Sequence, residues 1–451
     1  MRFQQAGLTT IAVLGMLSGR GAMAAEKVVA ITPTPQPIRR VEVQSNELSL
    51  TAATAAKLDP TAEFQLGVEA EADQDFAHIR KRRLTIFVNS TSIDNRGVHT
   101  LETFGESVLV SPSKVVILDD GVTTETLALK DWRAKNPTAK VFKLGPDDFR
   151  PTEEMLKDSE ALVWDIALPG SRSSLEAAVL GAALQEASLH YQSFVVLDRP
   201  AVMDVQVIDG PTPDEDSANT RAVFLPIPEI PGMTAGELAQ LYNQVYGIEA
   251  DLKVVPMGHW KRSDGNKWLQ DDPIWEQSAN GSRNLKNLRE SPLYSHGFAE
   301  LMAVRELLAG TPFALRRLEA NGGKPRLLLG PTRVDTATLL ERLSGMSLDG
   351  AEAKPLTTAI DGGTSTVLSL TPLPAPEQIQ PVLLTLQLQL CATRDPKTDL
   401  SVDGPNAYAA RSVLQALSRG LTPDQVRRRW AALPPYQSFL ADREKALLYP
   451  P

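Results

Sequence analysis

Four short apolar runs constrain the fold of this chain more than any other feature: Leu84 to Val88, Lys114 to Leu118, Ala161 to Ile166 and Ser193 to Leu197. Each is strand-length and ends in a polar or acidic cluster: Asn89-Ser90-Thr91, Asp119-Asp120-Gly121, Asp165, and Asp198-Arg199-Pro200. Near-continuous apolar strands are those buried on both faces of a parallel sheet. Between the third and fourth runs, Leu175, Val179, Ala182, Ala183 and Ala187 recur at helical spacing, which makes strand–helix–strand the natural unit. The expected fold class is therefore α/β, with a Rossmann-like parallel sheet. Ligands of such sheets bind outside the carboxyl ends of the strands, where the polar clusters stand. No glycine-rich phosphate loop follows the first run, so a dinucleotide cofactor is not expected.

The remaining pattern fills in the organisation. Asp75 to Arg83 reads as a helix with Phe76 and Ile79 on one face. Thr234-Ala-Gly-Glu237 and Thr422-Pro-Asp-Gln425 read as capping boxes that open helices. Leu252 to Met257, Arg326 to Leu329 and Thr366 to Leu370 read as strands. Thr336 to Leu343, Glu377 to Leu390 and Ala407 to Ser418 read as helices. The expected domains are a Rossmann-like unit over 63–250, a smaller α/β unit over 251–451, and a cleft between them. Residues 25–62, with TPTPQP and an alanine-threonine stretch, read as a linker.

Met1-Arg2, the apolar run Ala6 to Leu17 and the small-x-small Ala22-Met23-Ala24 read as a signal peptide cleaved after Ala24, which implies a periplasmic or secreted protein. That run is shorter than the roughly 20 residues of a spanning helix, so no membrane span is expected. A net charge of −9 argues against nucleic acid as a partner. The single Cys391 rules out an intramolecular disulfide, and its apolar surroundings imply burial. None of His78, His99, His190, His259 and His296 has ligand-like spacing, so no metal is expected.

Several ordered stretches resemble the exo-β-N-acetylmuramidase (NamZ-type) family. They are LTIFVNSTSIDNRG at 84–97, FRPTEEML at 149–156, VWDI at 163–166, FVVLDRP at 194–200 and DGP at 209–211. Pro226-Ile-Pro228, GMTAGELA at 232–239 and Val254 to Arg262 follow, and then the ending Val426…Trp430…Leu433…Phe439…Arg443…Tyr449. The resemblance implies cleavage of N-acetylmuramic acid from the non-reducing end of peptidoglycan fragments. Its partner would be a muropeptide or amino sugar, with no cofactor.

The resemblance is incomplete where chemistry is concentrated. The family's Pro-Glu-His-Gly, whose Glu is the implied catalytic acid, is here Leu118-Asp119-Asp120-Gly121. Its Gln-Asp-Val-Gly-x-Arg is Ala167 to Arg172, which keeps only Gly170 and Arg172. Its glycine-rich Glu-Gly-Thr-Asn stretch is Glu300 to Ala309, which keeps Glu300 and Glu306 but reads as an ordinary helix. Glycoside hydrolysis needs a proton donor and a second group at the anomeric carbon. Asp119 and Asp120 are the candidates for these roles, although an Asp-Gly turn also explains them. Neighbouring anions repel and raise one pKa, which suits an acid. Candidate saccharide contacts are Asn89, Asp165, Arg172, Asp198, Arg199 and Lys261. Of these, Arg172 is the one suited to hold a carboxylate, and Asp198-Arg199 also reads as a buried ion pair. Two functions follow: a glycosidase on N-acetylmuramic acid, or a catalytically degenerate cell-envelope protein that binds muropeptides or a protein partner.

Overall fold

A computed structural model describes residues 64–118, 127–213, 218–265 and, apart from short breaks, 296–451. The first half is a parallel sheet of β1 (Leu84–Val88), β2 (Pro112–Leu118), β3 (Lys140–Leu144), β4 (Ala161–Trp164), β5 (Ser193–Leu197) and β6 (Asp251–Val255). Its spatial order is β3-β2-β1-β4-β5-β6, all neighbours parallel. Residues alternate between two cores. Phe87, Val116, Leu162, Trp164, Phe194 and Val196 pack under α5 (Leu175–Leu189) and α6 (Ala235–Val245). Ile86, Val88, Val115, Ile117, Val163 and Val195 face α1 (Gly67–Asp73), α2 (Thr100–Glu106) and α3 (Leu127–Lys135). That period of two, with both faces covered, is why these strands read as continuous apolar runs. The connection after β3 carries α4 (Glu153–Leu156) and returns across the sheet to β4. The order therefore reverses between β1 and β4.

The second half holds an antiparallel sheet of β7 (Arg316–Asn321), β8 (Lys324–Leu329), β9 (Ala351–Ile360) and β10 (Gly363–Pro372), in the order β7-β8-β10-β9. Leu327, Leu329, Leu368 and Leu370 pack against α7 (His296–Leu307), α8 (Thr336–Ser344) and α9 (Pro381–Thr393). Cys391 lies in this core, fully buried, with its thiol 3.2 Å from Met346 Sδ. Three helices close the chain: α10 (Ala407–Ser418), α11 (Pro423–Ala431) and α12 (Pro434–Ala446).

Two boundaries differ from the sequence reading. Asp251–Val255 pairs with β5 and completes the parallel sheet, on the far side of a division drawn at 250/251. The last helix also returns to the first half, where Phe439 and Ala446 join the core under α5 and α6. Val202, Met203 and Ile230 pack with Ala299, Ala303, Val382 and Leu386, so an apolar seam joins the halves. Asp75 to Arg83 is not a helix. Asp75, Phe76 and Lys81 all have positive φ, and the chain turns back on Glu71, whose carboxylate accepts from the His78 backbone N–H at 2.7 Å. Phe76 and Ile79 are nevertheless buried, as their spacing implied. Both capping boxes form, at Thr234/Glu237 and Thr422/Gln425. Among the described residues no helix is long and apolar enough to cross a membrane. The segment read as a signal peptide and the linker at 25–62 lie outside the described residues.

Candidate functional site

The chain enters the polar zone at the carboxyl end of β1. Asn89 Oδ1 accepts from the Thr91 backbone N–H at 2.8 Å and from its hydroxyl at 2.6 Å, an Asx turn that reverses the strand. The Thr91 hydroxyl in turn accepts from the Ala167 N–H at 2.9 Å and ties the turn to the end of β4. The Asn89 side chain is 4% exposed, and its Nδ2 has no partner. A buried amide N–H without an acceptor is costly, so this donor is a candidate to meet a ligand acceptor.

Across the strand-order reversal, Asp165 ends β4. Its carboxylate takes a two-pronged bond from Arg199, Nε to Oδ1 at 2.5 Å and Nη2 to Oδ2 at 2.8 Å. Arg199 also donates to the Ile93 carbonyl, and the Thr100 hydroxyl donates to Asp165 Oδ2. Asp165 and Arg199 have no exposed side-chain surface. The pair therefore knits the ends of β1, β4 and β5 together rather than presenting a charge. His99 caps α2 beside it. Its Nδ1 accepts from the Leu101 N–H at 3.1 Å, which leaves Nε2–H to face the Asn89 carbonyl at 3.3 Å. Burial pushes the His99 imidazole down to about 4, against the Asp165 charge, so the ring is neutral at physiological pH.

The sequence paired Arg199 with Asp198; the structure pairs it with Asp165 instead. Successive residues of an extended chain point in opposite directions. Asp198 therefore faces α6, accepting from the Thr234 hydroxyl at 2.8 Å, the Gly236 N–H at 2.8 Å and the Tyr449 hydroxyl at 2.5 Å. An anion at a helix N-terminus is favourable, yet burial still pushes its carboxyl up to about 6. Gly236 allows the approach: a Cβ there would stand 2.8 Å from the Asp198 carboxylate and 2.6 Å from Val254.

Arg172 is 2% exposed and bonded inward, to Glu229 Oε2 and the Ala222 carbonyl, each at 2.6 Å. A ligand carboxylate would have to displace Glu229 to use its fork. The Lys261 side chain is exposed, while its backbone N–H donates to Asp264 at 2.9 Å. The inward-facing partner is Arg262, which donates to both Glu237 oxygens at 2.6 and 2.7 Å. Asp119 and Asp120 lie outside the described residues; β2 is described to Leu118, to which Asp119 is covalently joined. Sequence reasoning missed His99 and Thr100, whose signal was a helix start at Val98-His-Thr-Leu-Glu102.

The reversal of strand order, with polar groups gathered at the carboxyl ends of β1, β4 and β5, defines a Rossmann-like α/β protein, a class of fold in which ligands bind at such a switch point. Residues 84–288 match the family described as exo-β-N-acetylmuramidase NamZ, N-terminal. The chain is 39% identical over 122 residues to peptidoglycan β-N-acetylmuramidase NamZ of Bacillus subtilis (strain 168), across 27% of this chain and 29% of that protein. The aligned segment thus spans under a third of that relative's length. Two crystal structures of DUF1343 family proteins from Bacteroides fragilis NCTC 9343 share the fold, each with a TM-score of 0.56. They are 19% and 18% identical, and each covers 86% of this chain and 100% and 99% of its own, respectively.

Proposed function

We propose that this chain is an exported glycosidase that acts on peptidoglycan fragments and releases N-acetylmuramic acid from their non-reducing ends. The observation that carries the reading is the family match over 84–288, a segment containing the carboxyl ends of all six parallel strands. Asp119 is the proposed general acid and Asp120 the group that stabilises or activates at the anomeric carbon. Asn89 Nδ2 supplies a donor for a sugar or acetamido oxygen. The Asp165–Arg199 pair and Asp198 hold the strand ends in place, as positioning residues. Export rests on the pattern from Met1 to Ala24.

One observation favours a second reading, a saccharide binder without turnover. Asp165, Arg172, Asp198 and Arg199 are all buried and bonded to protein partners, so none of them is placed to exchange a proton with a ligand. Incubating residues 25–451 with a chromogenic N-acetylmuramic acid glycoside separates the two. The glycosidase reading expects chromophore release well above buffer. Release at the buffer rate, with muropeptide binding retained in a titration, assigns the second reading.

A further inference from the structure

Far along the sequence from the strand-end crevice, the chain folds an arginine-lined groove that the proposed reaction does not use. It has a volume of about 540 Å³ and is bounded by Arg419, Gly420 and Leu421 on one side and by α11 on the other. The residues lining it there are Gln425, Arg428 and Arg429 of α11 and Ala432, which caps its C-terminus. Their spacing of three, four and seven puts them on one helical stripe. The opposite face of α11 is anchored: Val426 is buried, and Arg427 pairs with Asp209 at 2.7 Å. The groove-facing stripe is therefore held in a fixed orientation.

Three guanidinium groups line this groove, with no acidic residue among the described residues of its walls. Arg419, Arg428 and Arg429 form no ion pair among the described residues, whereas Arg427 beside them forms two. Such a concentration of positive charge on a chain of net charge −9 is complementary to an anion. Gly420, at φ +90, closes α10, and a methyl group there would meet nothing within 4 Å, so the groove is open above it. Leu421 and Ala432 add a little apolar lining, and Gln425 adds an amide that can both donate and accept.

We infer that this groove is a binding site for a carboxylate-bearing saccharide. Guanidinium forks match carboxylates in a two-pronged way, the amide suits ring hydroxyls, and the apolar lining suits the face of one sugar ring. The volume lies within the ordinary range for small-ligand sites. An acidic peptide fits less well, because the groove offers neither an unpaired strand edge nor a row of apolar anchor pockets. This site stands whether or not the strand-end crevice hydrolyses anything.

The test is isothermal titration of residues 25–451 with trigalacturonic acid, maltotriose and triglutamate at matched ionic strength. Trigalacturonic acid is expected to bind at least tenfold more tightly than the other two, and more weakly as salt rises. Arg428→Gln/Arg429→Gln is expected to lower that affinity at least tenfold with an unchanged melting temperature, since both side chains are exposed. Arg419→Gln is expected to lower it severalfold. Unchanged affinity in the double variant, equal binding of maltotriose, tighter binding of triglutamate, or no binding of trigalacturonic acid each overturns the assignment. Hydrolysis of the chromogenic glycoside is expected to be equal in the double variant and the parent, so the two sites fail or succeed separately.

Discussion

Arg199 shows how one side chain organises the polar zone without reaching a ligand. It is fully buried, and its guanidinium spans Asp165 just after β4, the Ile93 carbonyl in the loop after β1 and the Thr100 hydroxyl at the start of α2. Removing one partner of a buried pair leaves the other charge unpaired in a low dielectric. Arg199→Met is expected to lower unfolding stability by about 3–5 kcal/mol, read from urea denaturation. A loss below about 1 kcal/mol would show that Asp165 finds other partners and that the pair does not hold the strand ends. Asn89 is the complementary case. Its oxygen builds the turn, whereas its nitrogen is unpartnered in a buried position, and only the latter points to a ligand.

At the scale of elements, α7 and α9 meet through a carboxyl that dislikes its surroundings. Glu300 on α7 is 5% exposed and accepts from the Ile379 N–H, just before α9, at 3.3 Å. Burial, with the Asp349 charge adding to it, pushes its carboxyl up to about 7. The folded state therefore holds this proton more tightly than the unfolded chain. The stability it confers is fully present below about pH 4.5 and is lost as pH rises through about 7, by up to about 3 kcal/mol. Glu300→Gln keeps the shape without the charge and is expected to flatten the fall in melting temperature between pH 5 and 8. Parallel curves for the two proteins would contradict this. The sequence located the elements that are apolar on both faces. β1, β2, β4 and β5 were legible because two cores cover them, and α5, α6 and α11 because of their spacing and capping boxes. β3 was not, because Lys140-Val-Phe-Lys-Leu144 is an edge strand with two exposed lysines. At the site, the clusters after the strands were legible but their pairing was not. Which carboxylate meets Arg199 depends on strand order, and strand order is not written in any local pattern.

At the scale of the whole molecule, the last residues are part of the first domain. The Tyr449 hydroxyl accepts from the Met257 N–H at 3.0 Å and donates to Asp198 at 2.5 Å, so the end of the chain bolts β6 to the polar zone after β5. Arg443 adds bonds to the Pro231, Val205 and Gly232 carbonyls. Tyr449→Phe leaves a buried N–H and a buried carboxyl each short of a partner. It is expected to cost about 2–3 kcal/mol, visible as a lower melting temperature. An unchanged melting temperature would mean that the tail merely rests on the domain. The same architecture sets the central test. Asp119 directly follows β2 in the sequence, and β2 is the parallel neighbour of β1. The most direct measurement is turnover of a chromogenic N-acetylmuramic acid glycoside by residues 25–451 and by Asp119→Asn, which keeps the shape and removes the transferable proton. The account predicts release by the parent and a loss on the order of 10²–10⁴-fold in the variant, with folding unchanged. Equal release by the two proteins would contradict it.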